Sequence, residues 1–114
     1  MPSPSKKYTS GDVITVFYFP HQENKTKGEM RWAICLDDLG DEFTIVPLKS
    51  DISDIKHHPN SFIIEADSVE GKRMKILNDS LGMPDRARQV RKIEAFIHGS
   101  CSESLCDKLH ELVK

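Results

Sequence analysis

The stretch Trp32-Ala33-Ile34-Cys35-Leu36-Asp37-Asp38-Leu39-Gly40-Asp41-Glu42-Phe43-Thr44-Ile45-Val46-Pro47-Leu48 holds two apolar runs separated by five residues rich in aspartate and glycine. Apolar runs of this length with β-branched and aromatic members read as strands, and a short break carrying glycine reads as the turn of an antiparallel hairpin. The expected strands are Trp32 to Leu36 and Glu42 to Leu48. Proline has no N–H to give to a ladder, so Pro47 is expected at a strand end or at the edge of the sheet.

Working outward, Asp12-Val13-Ile14-Thr15-Val16-Phe17-Tyr18-Phe19 has the same composition and is stopped by Pro20, which predicts an earlier strand. From Pro20 to Arg31 no apolar period survives, and a loop of that length is of functional interest. Beyond the hairpin lies a polar stretch, Asp51 to Asn60. Short strands are then expected at Ser61 to Glu65, Lys72 to Leu77 and Arg88 to Ile93. The period changes at the end of the chain, where Leu105, Cys106, Leu109, Leu112 and Val113 fall on one face of a helix. Ser100 or Ser102 would cap that helix, and Ser100 with Glu103 has the spacing of a capping box. The pattern predicts a mainly β protein: a small antiparallel barrel or curled sheet of about five to seven short strands, closed by a C-terminal α-helix. Residues 1–9 read as a poorly ordered tail, and residues 10–114 as one domain.

Composition narrows the function. The formal net charge of -2 gives no overall basic field, so any nucleic-acid site must be local. No apolar run approaches the roughly 20 residues needed to span a bilayer, and Met1-Pro2-Ser3-Pro4-Ser5-Lys6-Lys7 lacks the apolar centre of a secretory signal. A cytoplasmic protein with no membrane contact is the expectation. Cys35, Cys101 and Cys106 show neither CxxC spacing nor a Cys/His array, which predicts reduced thiols and no metal or other cofactor.

Four segments together resemble the MazF/PemK (Kid) family of toxin ribonucleases. Ser10-Gly11-Asp12-Val13-Ile14 is similar to the family's opening GD[IV] strand, and Gly28-Glu29-Met30-Arg31-Trp32-Ala33-Ile34-Cys35-Leu36 to its G-x-x-RP-hydrophobic segment. Val46-Pro47-Leu48-Lys49-Ser50 resembles the family's V-P-L-T-S, and Arg86-Ala87-Arg88-Gln89-Val90-Arg91-Lys92-Ile93 its [VR]-x-D-Q-[IP]-R-x-[IV] segment. Their order, with the closing helix, covers most of residues 10–113. The resemblance implies an SH3-like barrel, a homodimer, metal-independent cleavage of single-stranded RNA at short sequences, and neutralisation by a small antitoxin protein. It also implies that Arg31 stands beside the scissile phosphate, with Lys49, Ser50, Arg86 and His21 completing the catalytic set. Three positions depart from the family pattern: Trp32 for its proline, Lys49 for its threonine, and Arg88 where its plasmid toxin has an aspartate.

The chemistry of these residue types fits that role. Cleavage through the 2′-hydroxyl needs a group to take a proton, positive charge on the phosphorane oxygens, and a proton for the leaving 5′-oxygen. Arg31 offers a permanently charged planar fork, Lys49 a second cation and Ser50 a hydroxyl, while histidine is the usual proton carrier near neutrality. Lys25, Lys27, His57, Arg88, Arg91 and Lys92 are the expected RNA-binding residues, and one of Phe17, Tyr18, Phe19 and Trp32 could stack on a base. Each has a plainer alternative. Arg31 could pair with Glu29 or an aspartate of the turn; Lys49 and the Arg86–Lys92 cluster could be solvated charge; His21 could be an ordinary loop histidine. His57 and His58 are adjacent and so point apart on an extended chain, which argues against a shared metal. Three functions remain open: an endoribonuclease toxin, a non-catalytic barrel that binds RNA or inhibits a protein target such as gyrase, and a small interaction domain.

Overall fold

The computed structural model describes residues 9–18, 29–91 and 95–113; of the expected tail, only Thr9 lies among them. Among the described residues there are seven strands: β1 (Asp12–Tyr18), β2 (Glu29–Asp38), β3 (Glu42–Lys49), β4 (Phe62–Ile64), β5 (Ser80–Gly82), β6 (Arg88–Arg91) and β7 (Ala95–Ser100). Two α-helices, α1 (Val69–Met74) and α2 (Glu103–Val113), and two 3-10 turns, Ile52–His57 and Pro84–Arg86, join and cover them. Every pairing is antiparallel, and the strands run β4-β5-β3-β2-β1-β7 with β6 added to β3. The result is the mainly β, curled half-barrel with a closing C-terminal helix that the pattern predicts.

The hairpin forms as expected. Leu39 N–H donates to the Glu42 carbonyl at 2.8 Å, Gly40 N–H donates to Asp38 Oδ1 at 3.0 Å, and Gly40 takes φ +99°, which a side chain would resist. Its two apolar runs are nearly continuous because both faces of the sheet are covered. Val13, Ile34, Leu36, Val46 and Leu48 join Ile64, Met74, Ile76, Cys101, Cys106 and Leu109 in one core. Ile14, Val16, Ala33, Cys35, Phe43 and Ile45 form a second core on the opposite face. All three cysteines are buried, and none is in a disulfide.

Four details differ from the sequence reading. Pro47 sits within β3, away from any edge, paired to Ala33 of β2. It is tolerated because the far side of β3 changes partner there: β6 pairs through Ile45, β5 begins at Leu48, and only the Pro47 carbonyl is used, by Met83 N–H at 3.1 Å. The alternation in Lys72 to Leu77 belongs to a helix end rather than a strand. Met74 and Ile76 are buried while Arg73, Lys75 and Leu77 are exposed, because α1 stops at Lys75, which adopts φ 60°. Ser68 caps α1; of the two expected caps of α2, Ser102 takes the place, its hydroxyl accepting from Leu105 N–H at 3.2 Å, whereas Ser100, expected in a capping box with Glu103, ends β7 instead. Finally, β2 begins at Glu29, so Arg31 lies inside a strand, opposite Val16. No helix among the described residues is long and apolar enough to cross a membrane.

Candidate nucleic-acid interface

Strand register brings the first cations together. Ala33 faces Pro47 across β2 and β3, and residues two apart on a strand share a face, so Arg31 and Lys49 lie on one side at the end of β3. Beyond Lys49 the chain turns through Ser50 and Asp51. These residues and Trp32 line one wall of an open cavity of about 330 Å³, whose other wall is the segment Ile76 to Ser80 that follows α1. Arg31 and Lys49 are half-buried, Ser50 and Asp51 exposed.

Lys49 is not a bare charge. Its ammonium donates to Asp54, which the turn Ile52–His57 delivers. That hydrogen bond is the main reason the Asp54 carboxyl is held below its ordinary value of 3.8; the charges of Lys49, His57 and His58 act in the same direction. Asp51 caps the turn by accepting from Ser53 N–H at 3.2 Å. His58 Nδ1 lies 2.9 Å from Asp85 Oδ2, which ties the turn to the segment after β5. His57 is exposed at the end of the turn, near enough for its charge to act on Asp54.

Behind the cavity wall stands a group that the sequence reading missed. The ring of His98, in β7, stacks on Trp32 with centroids 4.0 Å apart and planes 6° from parallel. His98 Nε2 also hydrogen-bonds the Thr15 hydroxyl. Thr15 pairs with Trp32 on one side and with Phe96 on the other, and the bulge between Val13 and Ile14 places His98 beside this row. The only sequence signal was the run Ala95-Phe96-Ile97-His98, which has strand composition but abuts the basic cluster.

The remaining expected residues are dispersed. Arg88 faces Ile45, four residues before Lys49, which places it on the order of 13 Å along β3 from the cavity. It lines a different cavity, of about 420 Å³, with Asp37, Thr44, Gln89 and His110. Arg86 is exposed, with Nε 3.9 Å from Asp85, and Arg91 faces Glu42 across the ladder. Arg86, Arg88 and Arg91 are therefore spread over a 3-10 turn and strand β6, with acidic neighbours at two of them, and lie apart from the Arg31 cavity. His21, Lys25, Lys27 and Lys92 lie outside the described residues. Among the described residues no cluster of His, Cys, Asp and Glu could hold a metal ion.

Chemically the cavity offers an anion two cations and two serine hydroxyls, Ser50 and Ser80, beside one carboxylate, Asp51. No model of a known protein family and no curated protein matches the chain.

Proposed function

We propose that this protein binds single-stranded RNA across the Arg31 cavity and cleaves it without metal, as the toxin of a toxin–antitoxin pair. The observation that carries this reading is the convergence of Arg31 with the sequence-distant pair Lys49 and Ser50 on one open cavity at the end of β3. Arg31 holds two non-bridging phosphate oxygens with its fork, and Lys49 adds charge. Asp51 takes the proton of the 2′-hydroxyl as its oxygen attacks phosphorus; the bond from phosphorus to the 5′-oxygen breaks and that oxygen takes a proton from solvent water in the open cavity, leaving a 2′,3′-cyclic phosphate and a 5′-hydroxyl. The cytoplasm, a homodimer and a small antitoxin protein as partner belong to the same reading. Incubating the purified protein with a long single-stranded RNA in EDTA tests it. Discrete fragments with cyclic phosphate ends are expected, and intact RNA refutes cleavage.

One observation favours a second reading. Lys49 already has a carboxylate partner in Asp54, and no histidine among the described residues lines the cavity. A barrel that binds RNA or a protein target without cutting fits that arrangement. Retained RNA binding with no fragments in the same incubation distinguishes it.

A further inference from the structure

We propose that Cys101 and Cys106 are a reversible thiol pair, which peroxide oxidises to a disulfide that ties the first turn of α2 to the end of β7. Ser102 is the N-cap of α2, so Cys101 stands one residue before the cap and Cys106 at the fourth helical position. Side chains at these two places pack against each other across the first turn, ordinarily as an apolar staple. Here both are thiols. A Cβ placed on Gly11 would lie 3.3 Å from the Cys101 sulfur and 3.8 Å from that of Cys106, so both sulfurs reach one point on the turn before β1. They also meet directly: burial chiefly, then the Cys106 and Glu70 side chains, push the Cys101 thiol up to about 12, and a hydrogen bond with Cys106 acts in the same direction.

The surroundings give the two thiols different roles. A value near 12 keeps Cys101 protonated and makes it the second to react. The Cys106 sulfur lies 3.1 Å from the hydroxyl of Ser10, an exposed residue, and 3.7 Å from His110 Nδ1, on a ring about one-third exposed. Both groups can donate a hydrogen bond to a thiolate. Cys106 itself is 8% exposed, so the entrance suits an oxidant little larger than water, which hydrogen peroxide is. The Cys106 sulfur attacks one peroxide oxygen: the O–O bond breaks, an S–O bond forms, and the departing hydroxide leaves as water with the proton the thiol has shed. The Cys101 sulfur then attacks the sulfenic sulfur. The S–O bond breaks, and the second hydroxide takes the Cys101 proton, so a thiol that is hard to ionise is no bar to this step. Two thiols lose two electrons in all, and one peroxide becomes two waters. As packing alone the sulfurs would be small apolar groups. Cys35, whose side chain lies in the core on the opposite face of the sheet, separates the two readings.

The experiment treats the reduced, folded protein with hydrogen peroxide, quenches and denatures it, alkylates the remaining thiols and maps the products by peptide mass. The parent should lose two hydrogen masses as a cross-link between Cys101 and Cys106, at least about tenfold faster than Cys35 is oxidised, and dithiothreitol should restore both thiols. Cys101→Ala removes the second thiol, so dimedone, which traps sulfenic acids, should label Cys106; in Cys106→Ala, Cys101 should stay unlabelled. A bond that the native geometry accepts restrains the unfolded chain, so the cross-linked parent should melt at or above the reduced one. The proposal is overturned by a parent whose Cys101 and Cys106 survive peroxide unchanged or react no faster than Cys35. Cys106 carried to the sulfinic acid with no cross-link, a cross-link that forms only after denaturation, or a cross-linked protein melting below the reduced one would overturn it equally. All of these readouts on the parent stand whether or not the alanine variants fold.

Discussion

Gly99→Ala probes how the fold sets the far wall of the cavity. Gly99 pairs with Val13 in β7, and the end of α1 lies directly against it. A Cβ there would stand 2.6 Å from the Arg73 carbonyl oxygen, 2.7 Å from that of Met74 and 2.8 Å from the Met74 carbonyl carbon. All three are backbone atoms, so no side chain can swing aside; the end of α1 must retreat by about 0.8 Å to reach ordinary contact. Met74 is fully buried in the first core, which makes that retreat an overpacking strain of about 2 kcal/mol. For a domain of this size the melting temperature should fall by about 8 °C. Because Ile76 to Ser80 continue from the displaced end, RNA affinity should fall as well. Gly40→Ala is the control: nothing lies within 4 Å of its Cβ, and only the strain of φ +99° remains, about 1 kcal/mol. Thermal denaturation of the three proteins decides it. A Gly99→Ala protein melting within about 2 °C of the parent, or above Gly40→Ala, would refute the steric reasoning.

Arg31→Ala should slow RNA cleavage by a factor on the order of 100, with Arg31→Lys recovering only part of it; loss of stability beyond about 1 kcal/mol with an unchanged cleavage rate would make Arg31 structural. The Asp54 carboxyl is held below 3.8 in the folded protein, so its stabilising effect is present above that pH and is lost as pH falls through the lower folded value. The gap in melting temperature between the parent and Asp54→Asn should thus hold steady from pH 7 to about 5 and close in stronger acid. The same Asp54→Asn change should raise RNA affinity, measured by filter binding, because it releases Lys49 to phosphate. Burial, with smaller contributions from Cys106 and Glu70, pushes the Cys101 thiol from 9.0 up to about 12. Its thiolate fraction at pH 8 is then roughly a thousandfold lower than that of a free thiol, so alkylation of the native protein should be slow and should accelerate on unfolding. Since the folded value is the raised one, Cys101 stabilises fully below pH 9 and progressively less toward pH 12, a decline that Cys101→Ala should remove.

The hairpin was legible because both its faces are buried, which leaves an unbroken apolar signal on either side of Gly40. The closing helix was legible because only one face of it is buried, through Cys106 and Leu109. Alternation misled at Lys72 to Leu77, where a helix end and a left-handed residue mimic the period of a strand. Strand β7 was hidden because Phe96 and Ile97 are both substantially exposed on an edge, so no alternation marks it. Arg31, Lys49 and Ser50 were found as residues, and their convergence follows from a register that the hairpin already sets. Trp32 with His98, and Lys49 with Asp54, were not legible: the first pair depends on a bulge in the β1–β7 ladder, the second on a 3-10 turn delivering its carboxylate. Four cations crowded between Arg86 and Lys92 suggested a phosphate track. Sequence proximity could not reveal that Glu42 faces Arg91 across the ladder and that Asp85 sits beside Arg86.

The charge balance of the cavity limits how an RNA site here gains affinity. Arg31 and Lys49 face Asp51 and, through the ion pair, Asp54, so the local charge is close to neutral within a chain whose net charge is -2. Such a site gains little from long-range attraction to a polyanion, and what it gains fades within a Debye length of about 8 Å at physiological salt. A phosphate reaching Lys49 must also compete with Asp54. Affinity then has to come in part from contacts that salt does not screen, and Trp32 and Leu77, which line the same cavity, are apolar groups able to supply them. The same balance discriminates among ligands: a free phosphate or a folded duplex presents the charge without accessible rings, while a single strand presents both.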